Sequence, residues 1–236
     1  AYLPDNNLIA VSYCDYYASD FGCFQFLDQI NKFDDLAGSV LTYSGFHPHH
    51  LFSSSIYGYL KTSEDGWVLD YLEKKSFTKD KLSEPCSAGM YFFRDGALLK
   101  KYINKVFSNE IYYQINNELY VSSLYNALLS DNKKIKTIKT DFFAQLGTPV
   151  DYLDSIHWLS SAIKDQRITF LEKTNSSTPK SQDSSICLIL LSGLGSRFLT
   201  KGYTAPKFSL TYNDKSILEN ILMHVKDFSH YAFSIP

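Results

Sequence analysis

Leu190-Leu191-Ser192-Gly193-Leu194-Gly195-Ser196-Arg197-Phe198, with Pro206-Lys207 close behind, is the stretch on which the fold turns. The apolar run from Ile186 to Leu191 reads as a buried strand. It passes straight into a glycine turn, then an arginine, then a lysine. Glycines let the backbone approach an anion with no Cβ in the way. The N–H groups of such a turn, at the end of a strand, form an anion-binding concavity. Arg197 and Lys207 supply cations able to neutralise phosphate oxygens. This order suits a nucleoside triphosphate. The turn lacks the Gly-Lys-Ser/Thr of a P-loop and the third spaced glycine of a dinucleotide fingerprint.

Far upstream, Leu8-Ile9-Ala10-Val11-Ser12-Tyr13-Cys14-Asp15 is an apolar strand that ends in an acid. An Asp at a strand's carboxyl end is well placed to hold Mg²⁺; the plainer role is a helix N-cap after a strand. Between the two stretches the pattern predicts a helix over 24–33, a strand over 38–44, and a strand pair over 57–62 and 67–73 around Glu64-Asp65-Gly66. A strand over 87–93, helices over 97–106 and 119–129, and a late strand over 135–143 follow. Gly147-Thr148-Pro149 breaks that strand, and 150–163 reads as a helix. Residues 172–184 are polar and rich in Ser and Thr, the composition of a linker; Asn175-Ser176-Ser177 within it matches a glycosylation sequon. Beyond the glycine turn a helix is expected over 216–226, with Ile217, Leu218, Ile221, Leu222 and Val225 on one face, then a strand from Tyr231 to Ile235.

The bulk numbers exclude more than they assign. At 236 residues and 44% apolar, the chain can build a real core as one large or two small domains. A net charge of -2 argues against nucleic acid as a partner. No apolar run reaches the roughly 18 residues of a membrane span. The sequence opens at Ala1 without a charged-then-apolar leader, so no signal peptide is expected. The four cysteines, Cys14, Cys23, Cys86 and Cys187, form no C-x-x-C pair, which fits reduced thiols in a cytoplasmic protein. The 18 tyrosines read mainly as core filling.

Ser192-Gly193-Leu194-Gly195-Ser196-Arg197-Phe198, then Gly202-Tyr203 and Pro206-Lys207, resembles the opening signature of the sugar-phosphate nucleotidyltransferases. Tyr13-Cys14-Asp15-Tyr16-Tyr17, Gly45-Phe46-His47-Pro48-His49, Glu73-Lys74, Ser87-Ala88-Gly89-Met90-Tyr91-Phe92-Phe93, Glu118-Leu119-Tyr120-Val121-Ser122 and Gly147-Thr148-Pro149 follow that family's order and are most similar to its capsule and surface-polysaccharide branch. The resemblance covers about residues 1–158 and 185–236. It implies an α/β fold with a Rossmann-like nucleotidyltransferase sheet, present as two partial or permuted portions. Residues 1–158 match the back of the domain, 159–184 form a helix end and polar linker, and 185–236 match the front. The family begins with the glycine turn, whereas here the back portion comes first. A tandem fragment, a circular permutation with a deletion, and a two-part protein with another role are the three arrangements open to it; the tandem fragment is favoured.

The resemblance implies that an NTP and a sugar phosphate are joined to give a nucleotide sugar and pyrophosphate, for polysaccharide precursor synthesis, with Mg²⁺ as cofactor. It places Leu191, Ser192, Gly193, Gly195 and Ser196 against the nucleotide, Arg197 on the β- and γ-phosphates, and Lys207 on the α-phosphate. Asp15 is the metal ligand, and Glu73, Lys74, Ser87 and Gly89 lie by the sugar phosphate. For Glu73-Lys74 the plainer reading is a strand-end ion pair, and for Gly89 a bulge glycine. The family often carries a second acid where this chain has Gln145, and a Pro where it has Lys75. Two other functions remain open: a degenerate nucleotide-binding or regulatory module without turnover, and a nucleotide-sugar glycosyltransferase, which would want an Asp-x-Asp in place of Asp15-Tyr16-Tyr17. A homo-oligomer is left open, and the chain is expected to be weakly active or inactive. His47, His49 and His50 fix no tetrahedral zinc set by themselves; they read as a substrate-side loop or, more plainly, as a surface loop, the latter favoured.

Overall fold

The computed structural model describes residues 3–20, 22–51, 55–164, 185–191, 195–212, 214–225 and 228–234. Ser192, Gly193 and Leu194 of the glycine turn, and the linker 172–184 with its sequon, lie outside the described residues.

The chain opens with β1 (Leu8–Tyr13), the short β2 (Tyr16–Ala18), α1 (Cys23–Lys32) and β3 (Leu36–Tyr43). A hairpin of β4 (Gly58–Thr62) and β5 (Val68–Glu73) follows, then β6 (Cys86–Phe93). Next come α2 (Gly96–Ser108), the one-turn α3 (Glu110–Tyr113), α4 (Val121–Ser130), β7 (Lys134–Lys139), β8 (Phe143–Gln145) and α5 (Pro149–Lys164). The C-terminal part supplies β9 (Ser185–Leu190), the one-turn α6 (Ser196–Leu199), β10 (Thr211–Tyr212), β11 (Lys215–Ser216), α7 (Ile217–His224) and β12 (His230–Ser234). Local chemistry accounts for several ends. Asp95 caps α2 by accepting from the Leu98 N–H at 2.7 Å. Ser216 and Glu219 form a capping box on α7. The Thr148 hydroxyl accepts from the Asp151 N–H at 3.2 Å, with Pro149 at the first position of α5.

The fold is mixed α/β around a central mixed sheet of order β12-β9-β1-β6-β3-β7, with the β4–β5 hairpin attached at β6. β12, β9 and β1 run parallel, as do β3 and β7, while β6 is antiparallel to both of its neighbours in that order. β1 is apolar without alternation because both of its faces are covered. Leu8 and Ala10 face a core shared with Phe26 of α1 and Ile217 and Ile221 of α7. Ile9 and Val11 face a core shared with Leu99 and Tyr102 of α2 and Leu124, Tyr125 and Leu128 of α4. The Tyr125 hydroxyl donates to the Ser39 and Phe92 carbonyls at 2.8 and 2.6 Å, tying α4 to two strands.

β9 pairs with β1 along its whole length, from Leu8↔Ser185 to Tyr13↔Leu190. The segments on either side of 159–184 therefore contribute to one sheet and do not lie on separate sheets. The single strand expected over 135–143 is corrected: β7 ends at Lys139, and β8 belongs to a different sheet, paired antiparallel with β2. Thr140 is the cause. Its N–H still donates to the Thr42 carbonyl, but its hydroxyl binds Ser19, Asp20 and Phe142, giving the chain a local alternative to the ladder. No helix among the described residues is long and apolar enough to cross a membrane.

Candidate active site

Parallel pairing in register makes β1 and β9 end side by side at one edge of the sheet. After β1 comes Asp15. No helix starts there; the chain enters β2, which rules out the N-cap role. The Asp15 carbonyl accepts from the Leu146 N–H at 2.7 Å, and Tyr16 pairs with Gln145 across β2 and β8. Gly147 makes the approach possible. A Cβ there would stand 2.7 Å from Gln145 Nε2, which would have to shift, and in ordinary contact with Asp15 Oδ2 at 3.4 Å, so Gly147 lets the two side chains keep their places beside it.

From the other portion, Lys207 Nζ reaches Asp15 Oδ2 at 3.1 Å, with side chains 20% and 33% exposed. Lys207 opens a short 3₁₀ turn after Pro206, closed by the Ser209 hydroxyl donating to the Pro206 carbonyl at 2.7 Å. Carboxylate, ammonium and amide thus converge from three separate places in the sequence.

Asp15 and Gln145 border a cleft of about 550 Å³ that also receives Glu73, Lys74, Ser87 and Gly89. Gly89 sits in the irregular stretch of the β3–β6 pairing with φ of 91°, and a Cβ on it would meet the Tyr16 ring at 3.1 Å. It is therefore both the bulge glycine and a part of the cleft wall. The Ser87 hydroxyl accepts from the Gly89 N–H at 3.3 Å and donates to the Tyr91 hydroxyl at 2.9 Å. Burial raises the Glu73 carboxyl above its ordinary range, with Ser122 and Lys74 opposing. Lys74 adopts a left-handed backbone, φ 56°. Its ammonium contacts the Tyr120 hydroxyl, lies 4.5 Å from that ring's centroid, and reaches Glu118 at 3.5 Å. These neighbours, Tyr120 foremost, raise the Lys74 pKa and keep it charged. The expected Glu73–Lys74 ion pair is thus replaced by Lys74 with Tyr120 and Glu118. Composition and spacing gave no role to Tyr120 or Glu118; their place within Glu118-Leu119-Tyr120 was the available signal.

The glycine-turn residues are less gathered. The Leu191 N–H donates to the Ser234 carbonyl at 3.0 Å, so the sheet already uses it. Gly195 is left-handed, φ 60°, at the start of α6, and Ser196 is exposed. Arg197 is exposed and has no ion pair with Asp15, whereas its neighbour Phe198 is buried against Tyr152 and Tyr203. Arg197 therefore stands outside the Asp15–Lys207 contact.

The histidine stretch is not a surface loop: His47 and His50 are buried. The Tyr57 hydroxyl bonds His47 Nδ1 at 3.0 Å, His50 Nδ1 meets the Gly45 carbonyl at 2.9 Å, and His49 Nε2 meets Asp151 Oδ1 at 2.7 Å. Burial lowers the His47 pKa to about 4 and lowers that of His50 as well. Among the described residues no three His, Cys, Asp or Glu side chains form a metal cluster. The four cysteines form no disulfide and are buried, and burial pushes the Cys14 thiol up to about 11.

No protein-family model matches the sequence, and no curated protein matches it. Among solved structures the chain is similar to the nucleoside-diphosphate-sugar pyrophosphorylase from Vibrio cholerae RC9, with a TM-score of 0.42 and 18% identity over 51% of this chain. The likeness spans 46% of that structure's own length.

Proposed function

We propose that this chain carries the site of a nucleotidyltransferase that joins an NTP to a sugar phosphate and releases pyrophosphate. The observation that carries the reading is the contact of Asp15 with Lys207 at the shared carboxyl ends of β1 and β9, above a cleft that also holds Glu73, Lys74, Ser87 and Gly89. The sequence resemblance gives each of these residues a task in one reaction.

In that reaction an oxygen of the sugar phosphate forms a bond to the α-phosphorus, the α–β bridge breaks, and its electron pair leaves with pyrophosphate. Positioning and charge stabilisation supply most of the catalysis. Lys207 neutralises the α-phosphate oxygens as negative charge builds on them. Lys74, held charged by Tyr120 and Glu118, meets the phosphate of the acceptor. Gly89 and the Ser87 hydroxyl beside it line the sugar-phosphate side of the cleft. Arg197, free in solvent, closes on the β- and γ-phosphates once nucleotide is present. Asp15 and the Gln145 amide would hold Mg²⁺, an ion content with one or two carboxylates when phosphates complete its shell. Bound there, Mg²⁺ would draw negative charge from the phosphate oxygens.

Gln145 in place of an acid favours a second reading, a nucleotide-binding module without turnover. One experiment separates the two. Each NTP is incubated with Mg²⁺ and a panel of sugar 1-phosphates, and pyrophosphate release is followed. Release that falls about a hundredfold in Lys207→Ala and Asp15→Asn supports the enzyme. Saturable nucleotide binding with no release for any pair replaces it by the binding module.

A further inference from the structure

We propose that the cleft between the His47–His49 turn and α5 is a second ligand site, and that it takes a small organic cation, an amine or quaternary ammonium with an apolar body. The proposal does not depend on the reading of the first cleft.

The space is about 470 Å³, in the usual range for small-molecule sites. Its walls are largely aromatic. Phe46 and Trp158 project into it while 62% and 67% exposed, a cost in water that a bound apolar body would relieve. Asp151 and Asp154 line it with His47 and His49, and among its described lining residues there is neither Lys nor Arg, so apart from the His49 ring on Asp151 its charged groups are carboxylates.

The two carboxylates differ in their freedom. Asp151 is already committed, Oδ1 to His49 at 2.7 Å and Oδ2 to the Thr148 hydroxyl at 2.7 Å. That network fixes the floor of the cleft. Asp154 is exposed and pairs with no cation among the described residues. It stands four residues before Trp158 on α5, so carboxylate and indole share a helix face. A cation lying over the indole is attracted by the ring quadrupole, and Asp154 supplies the opposite charge beside it. Alkyl groups on that cation would cover Phe46, which a hydrated metal ion could not do.

The test uses intrinsic fluorescence. The chain has two tryptophans, so Trp67→Phe leaves Trp158 as the reporter. Tetramethylammonium chloride is titrated at constant ionic strength against sodium chloride. The expected result is a saturable change in Trp158 emission that sodium does not give, with the apparent affinity weakened about tenfold in Asp154→Asn. Asp154 is exposed, and circular dichroism checks that the variant is folded. An absent or non-saturating response overturns the proposal. So does an equal response to neutral tert-butanol, which marks an apolar hollow only, or an unchanged affinity in Asp154→Asn. A response to methyl glucoside with none to tetramethylammonium overturns it in favour of a carbohydrate seat.

Discussion

Lys207 Nζ lies 3.1 Å from Asp15 Oδ2 although 192 positions separate the two residues in the chain. The contact exists because β9 and β1 are parallel neighbours whose last paired residues are Tyr13 and Leu190. The two strands end at the same edge of the sheet, and the 3₁₀ turn at Lys207–Ser209 brings the ammonium there. Both side chains remain partly open to water, so solvent screens the pair, and its ammonium is free to leave the carboxylate when a phosphate offers more charge.

The first prediction follows from that screening. A double-mutant cycle of Asp15→Ala and Lys207→Ala, read by urea unfolding, should give a coupling energy of about 0.5–1 kcal/mol that shrinks in high salt. Pyrophosphate release should be lost in either single variant. A large coupling with no functional loss would make the pair purely structural.

Gly89→Ala should lower stability by about 1–3 kcal/mol, because φ of 91° is strained for any side chain and the new methyl meets the Tyr16 ring at 3.1 Å. The methyl would push on the Tyr16 ring, which also lines the cleft, so the KM for the sugar phosphate should rise more than that for the NTP. Steady-state kinetics with each substrate varied in turn checks this.

Acid should destabilise the fold through His47. In the folded chain its pKa is about 4, while an unfolded histidine titrates near 6.5. Between those values the unfolded chain binds a proton that the folded chain refuses. Stability is therefore full above pH 6.5 and is lost as the pH falls toward 4, by up to about 3 kcal/mol. His50 acts in the same direction. Urea midpoints measured from pH 7.5 to 4.5 should fall less steeply in His47→Gln, which keeps a polar partner for Tyr57.

Glu73 has the opposite sign. Its carboxyl is raised by burial, so the folded chain holds the proton where the unfolded chain has lost it. That favours folding at low pH and is lost as the pH rises through the folded value, leaving a half-buried charge at neutral pH. Glu73→Gln should raise the unfolding midpoint at pH 7.5, with a smaller gain at pH 4. If Glu73 serves the sugar-phosphate side, pyrophosphate release should drop at least about tenfold in the same variant.

Strands and helices were legible where both faces or one stripe must be buried. The runs at 8–13 and 186–190 are apolar because helices cover the sheet on two sides, and α7 shows its stripe at helical spacing. The reading failed where a single hydroxyl changed the path. Thr140 ends β7 through bonds to Ser19 and Asp20, partners more than a hundred positions away that no local window contains. The histidine stretch failed for a related reason. Polar residues close together look like a surface loop, and only the packing of Tyr57 and Phe143 around His47 buries them.

The sequence by itself determined the apolar strand at 186–190, the acid that follows β1 and the residue types around the candidate site, because local propensity and motif chemistry are written in neighbouring positions. Only the tertiary structure decided that the two portions share one sheet, that Lys207 and not Arg197 meets Asp15, and that Lys74 contacts Tyr120 and Glu118. Those outcomes rest on strand order and register, which depend on burial and hydrogen bonding between distant segments.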